Sequence, residues 1–259
     1  MSQVLAKRIT ALQTILTKMF YVARNIRSRR LFDSLRSYCR GSVLDVGGWD
    51  FFRTALAQGV SFTSWTVLET AEQKVTDFGD DRIRIEIGDG CSMHFKDASF
   101  DTVLNVQVLE HVFEPNAMMR EMCRVLKPGG HLIILVPQTA TLHLIPHHYY
   151  NFTRFWIKED LIRNGMEQLE LRPLGGIWSS MASHLVYFVF QSLRVGSMSA
   201  PEFRRPWLFY PLYPFMLLFA FIAFPICLFL SLGDLTEEPN NHLVVARKPA
   251  AQEITQDDK

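Results

Sequence analysis

Neither sign of charge is in excess in this chain. Its 27 basic residues stand against 26 acidic ones, so no global field draws it to nucleic acid. The four cysteines, Cys39, Cys91, Cys123 and Cys227, lie far apart. No two have the spacing of a metal site or a redox pair, so no metal is expected. Free thiols in a reducing compartment are the expectation. The N-terminus lacks a compact apolar core followed by small residues, so no secretory signal is expected and a cytoplasmic location is. No internal repeat is evident. One more absence is local: from Trp207 to Leu232 there is no charged side chain across 26 residues.

What is present is a rhythm of short apolar runs, each ending in polar or glycine residues. Val43-Leu44-Asp45-Val46 runs into Gly47-Gly48. Trp65-Thr66-Val67-Leu68 ends at Glu69, and Ile83–Ile87 leads to Asp89. Phe100–Val106 leads to Gln107, and His131–Val136 follows Lys127-Pro128-Gly129-Gly130. Strands are expected at roughly 42–46, 65–69, 83–87, 101–106 and 131–136. Helices are expected near 50–58, 71–78 and 116–125, the last opened by Pro115 and closed by Pro128-Gly129-Gly130. Parallel strands joined by helical crossovers form a doubly wound α/β sheet, which binds its ligands at the carboxyl ends of the strands. A helix beginning at Lys158 and ending near Asn164-Gly165, a strand over 167–172 and a final strand over 242–247 would complete a mostly parallel, Rossmann-like sheet of seven strands with helices on both faces.

The first strand–helix loop is the cofactor candidate, because glycines there let a ligand approach the backbone. Asp45-Val46-Gly47-Gly48-Trp49-Asp50-Phe51 is not a dinucleotide fingerprint, however. Trp49 and Phe51 stand where a pyrophosphate needs glycine. That argues against a nicotinamide-dependent oxidoreductase. A cofactor without phosphates needs less room, and the cationic S-adenosylmethionine tolerates nearby carboxylates.

These motifs together resemble the class I S-adenosylmethionine-dependent methyltransferases, and the type-11 group among them. The matching pieces are Val43-Leu44-Asp45-Val46-Gly47-Gly48, Glu69, Gly88-Asp89-Gly90, Phe100-Asp101-Thr102-Val103, Val108-Leu109-Glu110-His111-Val112 and Leu126-Lys127-Pro128-Gly129-Gly130-His131-Leu132. Each is weak alone; together, in order and at these spacings, they are not. The resemblance covers residues 41–138 well and 147–172 more loosely. It implies that Asp45, Gly47 and Gly48 shape the methionine end of the pocket. It further implies that Glu69 bonds the ribose hydroxyls, that Asp89 contacts the adenine amino group, and that Gly90 allows close backbone approach. Gln107 would line the site near the methyl group. Methyl transfer asks the protein for alignment and, where needed, a base. The base candidates are His111, His148 and Tyr149, the latter two in an aromatic segment where a substrate wall is expected. The alternative for them is an aromatic lid, and for His111 a packing role.

The remaining segments suggest a membrane. Residues 1–35 hold apolar positions at near-helical spacing (Val4, Leu5, Ile9, Leu12, Ile15, Leu16, Met19). Seven Lys or Arg residues and no acid precede Asp33. A basic amphipathic helix of this kind suits an anionic surface, or packs on the core domain with its charges in water. The core domain is expected over 36–175, an apolar helical insert over 176–240, the last strand over 241–248 and a disordered tail over 249–259. The run 207–232 is long enough to cross a bilayer, but Pro211, Pro214 and Pro225 disfavour one straight helix. If the last strand joins the same sheet, both ends of that run lie on one side. It would then be a re-entrant hairpin, an in-plane helix pair or a buried apolar subdomain. The leading expectation is a peripheral or monotopic methyltransferase acting on a small-molecule or lipid-linked acceptor, at oxygen first, with carbon or nitrogen open. The alternative is a non-catalytic binding or scaffold protein on the same fold.

Overall fold

The computed structural model describes residues 29–70, 79–193 and 205–250. The helix expected over 71–78, the tail from 251, and all but the last residues of the basic N-terminal segment lie outside the described residues.

Seven strands form one sheet: β1 (Ser42–Val46), β2 (Ser64–Glu69), β3 (Ile83–Ile87), β4 (Phe100–Val106), β5 (Leu126–Pro137), β6 (Glu167–Leu174) and β7 (Asn241–Arg247). Their order is β3-β2-β1-β4-β5-β7-β6. The first five are parallel, and β7 runs antiparallel to both β5 and β6. The winding reverses between β1 and β4, which opens a crevice at their carboxyl ends.

Both faces of the sheet are covered, because the strands alternate apolar residues to each side. Leu44, Val46, Leu132, Ile134 and Val244 pack with Met119 and Met122 of α3 (Pro115–Val125) and Leu161 of α4 (Arg154–Arg163). Val43, Trp65, Ile133 and Val245 pack on the other face, with Leu35 of α1, which includes residues 29–38, and Phe52 of α2 (Phe51–Ala57).

Three elements differ from the sequence expectation. Lys127–Gly130, expected as a loop closing α3, lies inside β5. Leu126 pairs with Phe100 and His131 with Thr102, so four residues oppose the single Asp101 as a bulge. A Cβ on Gly130 would lie 2.9 Å from the Asp101 carbonyl oxygen, so only glycine lets the bulge lie this close to β4. Lys248 holds the bulge from the other side: Gly129 N–H donates to its carbonyl at 2.7 Å. Second, α4 begins four residues before Lys158, because the Thr153 hydroxyl accepts from Trp156 N–H and caps it. Third, Phe209–Leu230 is one continuous helix, α6, although it contains Pro214 and Pro225. Of the forms the sequence left open, neither a re-entrant hairpin nor a helix pair lies within 207–232. The partner of α6 is instead α5 (Ile177–Leu193).

The described residues divide into two compact units. One lies within Leu31–Gln138, His147–Leu174 and the chain from Asn241; the other lies within Thr139–Pro146 and Gly175–Asn240. The first holds the whole sheet.

Candidate cofactor site at the carboxyl edge of the sheet

Each loop at this edge is tied to the neighbouring strand by one more backbone bond. Gly47 N–H donates to Leu68 O, Gly88 N–H to Glu69 O, and Gln107 N–H to Leu135 O, each at 2.8 Å. The residues expected to bind a cofactor therefore sit on short, fixed turns.

The first turn is the tightest. Gly47 has φ +74°, a left-handed conformation that favours glycine, and a Cβ there would lie 2.7 Å from Val108. Trp49 is also left-handed, at φ 48°. Its backbone N–H donates to Glu69 Oε1 at 2.7 Å, which joins the loop after β1 to the acid ending β2. The crowding expected from the two bulky residues is not what their packing produces. Trp49 is exposed, and Phe51 stacks on Phe32 with ring centroids 6.0 Å apart, against the core on the α1 face.

Asp45 lies beneath this loop, fully buried in β1. Its Oδ2 accepts from the Trp65 indole N–H at 3.2 Å, while Oδ1 has no partner. Gly48 passes so close over it that a Cβ would come within 1.9 Å of Oδ2. Burial pushes the Asp45 carboxyl up to about 8, against the lowering effect of the Trp65 bond and with a small rise from the Glu69 charge. Its ordinary value is near 4. The folded chain therefore holds a proton that the unfolded chain releases above about pH 4. The stability from this group is complete below that pH and is lost as pH rises through about 8. Asp45→Asn cannot ionise and is expected to flatten the fall in melting temperature between about pH 4 and pH 8. Thermal melts of both proteins across that range check this. Glu110, raised to about 7 by burial, preserves part of the slope.

Asp89 and Gly90 follow β3. Asp89 is exposed, and its Oδ1 accepts from Cys91 N–H at 2.8 Å. Gly90 is explained by packing within the chain: a Cβ there would lie 2.4 Å from Met118 Cε. Gln107 ends β4 with φ 59°, and its amide donates to Asn241 Oδ1 of β7 at 2.9 Å.

The three base candidates come together on one wall. A single 3-10 turn, Leu109–His111, follows β4. Tyr149 N–H and Tyr150 N–H both donate to Glu110 O, at 2.8 and 3.3 Å. The rings of His111 and His148 lie 5.6 Å apart, and Tyr149 meets Phe113 edge-on. His111 Nδ1 is 2.5 Å from the His147 carbonyl oxygen. A carbonyl only accepts, so Nδ1 carries the proton and Nε2 is the basic nitrogen of neutral His111. By the same reasoning His148, whose Nε2 faces Tyr150 O at 3.2 Å, is basic at Nδ1. The Tyr149 hydroxyl bonds His147 Nδ1 at 3.0 Å.

Several residues that build this edge carried no signal in the sequence. Trp65 and Asn105 sit in apolar runs that read as core. Yet the Trp65 indole holds Asp45, and Asn105 Oδ1 accepts from Leu109 N–H at 3.2 Å to fix the 3-10 turn. Glu110 is fully buried with neither carboxylate oxygen hydrogen-bonded. A Glu beside a His in a polar loop gives no hint of that.

The donor set suits S-adenosylmethionine. Glu69 and Asp89 offer acceptors at successive strand ends, and glycines 47 and 48 bring backbone close.

Comparison with known proteins is consistent with this geometry. Residues 51–134 match the family model described as a methyltransferase domain. The 27-O-demethylrifamycin SV methyltransferase of Amycolatopsis mediterranei is 33% identical over 112 residues, covering 39% of this chain and 41% of the relative. The demethylmenaquinone methyltransferase of Clavibacter sepedonicus is 35% identical over 83 residues, covering 32% and 33%. The chain thus spans less than half the length of these relatives. Among solved structures, the cyclase SpnF superposes with a TM-score of 0.57 at 18% identity, covering 86% of this chain and 82% of that one. At that identity the likeness concerns the fold.

Proposed function

We propose that this chain carries a class I S-adenosylmethionine-dependent methyltransferase domain, a reading supported by the family match over residues 51–134, and that it methylates a small, lipophilic organic acceptor at a membrane. The observation that carries the reading is the edge itself. The Gly47–Gly48 turn, Glu69 and Asp89 line up at the switch crevice, beside a wall holding His111, His148 and Tyr149.

S-adenosylmethionine, when bound, supplies an activated methyl group. The chain's own residues supply the rest. Glu69 is placed to accept from a ribose diol, and Asp89 from an amino group. Gln107, held by Asn241, is read as lining the site near the methyl group. His111 Nε2 is the first candidate to take the proton of an acceptor hydroxyl, because its other nitrogen is held as a donor by His147 O. His148 and Tyr149 stand beside it as wall and secondary candidates.

Two observations support the lipophilic acceptor and the membrane. The relatives named above are named for small organic molecules. Phe209–Gly233 is long and apolar enough to cross a bilayer, and only 17% of its most apolar window is buried. A core helix of a soluble protein would be mostly covered. The cytoplasmic, peripheral or monotopic placement expected from the sequence belongs to this proposal.

The test is calorimetry of the full, detergent-purified chain with S-adenosylmethionine and S-adenosylhomocysteine, followed by transfer of labelled methyl groups into a membrane lipid extract. Saturable binding and label in the lipid fraction are expected, with His111→Ala keeping binding and losing transfer. A folded protein that binds neither compound would favour the scaffold reading. Label appearing only with water-soluble acceptors would overturn the lipophilic one.

A further inference from the structure

Helices α5 and α6 are antiparallel, and their contacts say so end to end. Ala182 and Val186, toward the start of α5, share a buried cluster with Phe224 and Cys227, toward the end of α6. At the opposite ends, Ser192 Oγ lies 3.0 Å from the Tyr213 hydroxyl, and the rings of Phe188 and Tyr213 meet.

The two feet of this pair are drawn together. Asp234, just past α6, caps the start of α5: its carboxylate accepts from Trp178 N–H at 2.8 Å, Ser179 N–H at 3.1 Å and the Ser179 hydroxyl at 2.6 Å. Gly176 passes Leu235 O so closely that a Cβ would lie 2.1 Å from it. The chain leaves the sheet at Leu174 and returns at Asn241, and those two residues are paired partners in β6 and β7. Entry and exit therefore coincide.

The surface of α6 has no polar side. Exposed Tyr210, Phe215, Leu218, Phe219, Ile222 and Ile226 surround the helix except along the stripe that faces α5. A helix lying in the plane of a membrane keeps a polar face toward water. One that is apolar all round is enclosed by protein or by hydrocarbon, and little protein encloses this one. Its 22 residues span about 33 Å, enough for a hydrocarbon layer of about 30 Å. Three polar side chains along α5 bond back to its own backbone, as hydrocarbon favours. Ser183 Oγ donates to Ser179 O, His184 Nδ1 bonds Ser180 O, and Ser192 Oγ donates to Val189 O. The ends complement a bilayer too. Arg205, over the Phe209 ring at 4.8 Å, and Trp207 lie just before α6. A guanidinium there matches lipid phosphates, and Trp and Tyr favour the interface.

We infer that α5 and α6 cross the bilayer together as a two-helix hairpin, with Asp234 on one side and the Arg205 end of α6 on the other. This rests on the membrane association proposed above and replaces its peripheral or monotopic form with a crossing. It departs from the sequence expectation that both ends of the 207–232 run lie on one side: with α5 supplying a second crossing, the ends that share a side are those of the α5–α6 pair.

The test uses the full chain synthesised in the presence of liposomes of phosphatidylcholine and phosphatidylglycerol. Flotation reads membrane association. A membrane-impermeant maleimide, followed peptide by peptide by mass spectrometry, reads topology in Leu208→Cys and Leu232→Cys. The expected result is flotation of both, with Leu232→Cys labelled at once and Leu208→Cys labelled only after detergent. Flotation with both sites labelled at once would place the hairpin at the interface and overturn the crossing, leaving the membrane placement standing. Failure to float would overturn both.

Discussion

Gly48→Ala is expected to lower S-adenosylmethionine affinity by roughly 100-fold, a loss of about 2.7 kcal/mol, and to destabilise the fold by about 1–3 kcal/mol. The added methyl would sit 1.9 Å from Asp45 Oδ2. Asp45 cannot swing aside, since it is fully buried and its carboxylate is held by the Trp65 indole. The loop must lift instead. Lifting it breaks the bond from Trp49 N–H to Glu69 Oε1 and so disturbs two parts of the cofactor site at once. The double variant Asp45→Ala/Gly48→Ala separates sterics from other causes, because it removes the atoms that the methyl meets. Stability should then recover relative to the sum of the single changes, a coupling of the kind expected for residues in contact. Calorimetry and denaturant melts of the four proteins are the measurement. Unchanged affinity in Gly48→Ala would show that this turn does not hold the cofactor.

Phe219→Asp is the second large effect. Phe219 lies midway along α6 and is 64% exposed, so the substitution removes little packing within the chain and the fold should melt as before. In a bilayer it would sit at the centre, where an aspartate costs about 3 kcal/mol. Membrane partitioning should fall by roughly 100-fold, and flotation with liposomes should be largely lost. Adding Ile222→Asp, one helical turn away and also exposed, should complete the loss and raise solubility without detergent. Undiminished flotation of the double variant would remove α6 as the anchor.

The strand-end residues were legible because a doubly wound sheet repeats one local event. An apolar run buried on both faces must stop where the backbone turns, and the residue at the stop is polar or glycine. Gly47, Glu69, Asp89 and Gln107 each mark such a stop. The reading of Lys127–Gly130 as a loop failed for a related reason. Pro and Gly signal interruption, and a bulge within a strand produces the same signal as a turn between elements. Only the pairing of Leu126 with Phe100 distinguishes them. The prolines of α6 misled in the same way. They weaken a helix in water, but here the helix is continuous through Pro214 and Pro225.

What the sequence by itself determined is the class of sheet, the edge where ligands meet it, the acids and glycines on that edge, and an uncharged segment long enough for a bilayer. These follow from periodicity and composition, which act over a few residues. What only the tertiary structure decided is which residues meet across distance. Asp45 is a buried acid under Gly48, Glu69 holds the Trp49 backbone, and His111 meets His148 and the His147 carbonyl although His147 lies 36 positions further along the chain. The partner of α6 was equally invisible, because α5 carries serines and a histidine whose polarity is met by bonds to its own backbone, to Tyr213 and to residues near the foot of the pair such as Asp234. Burial and partnership are properties of the packed chain, and a residue's type constrains them without specifying them.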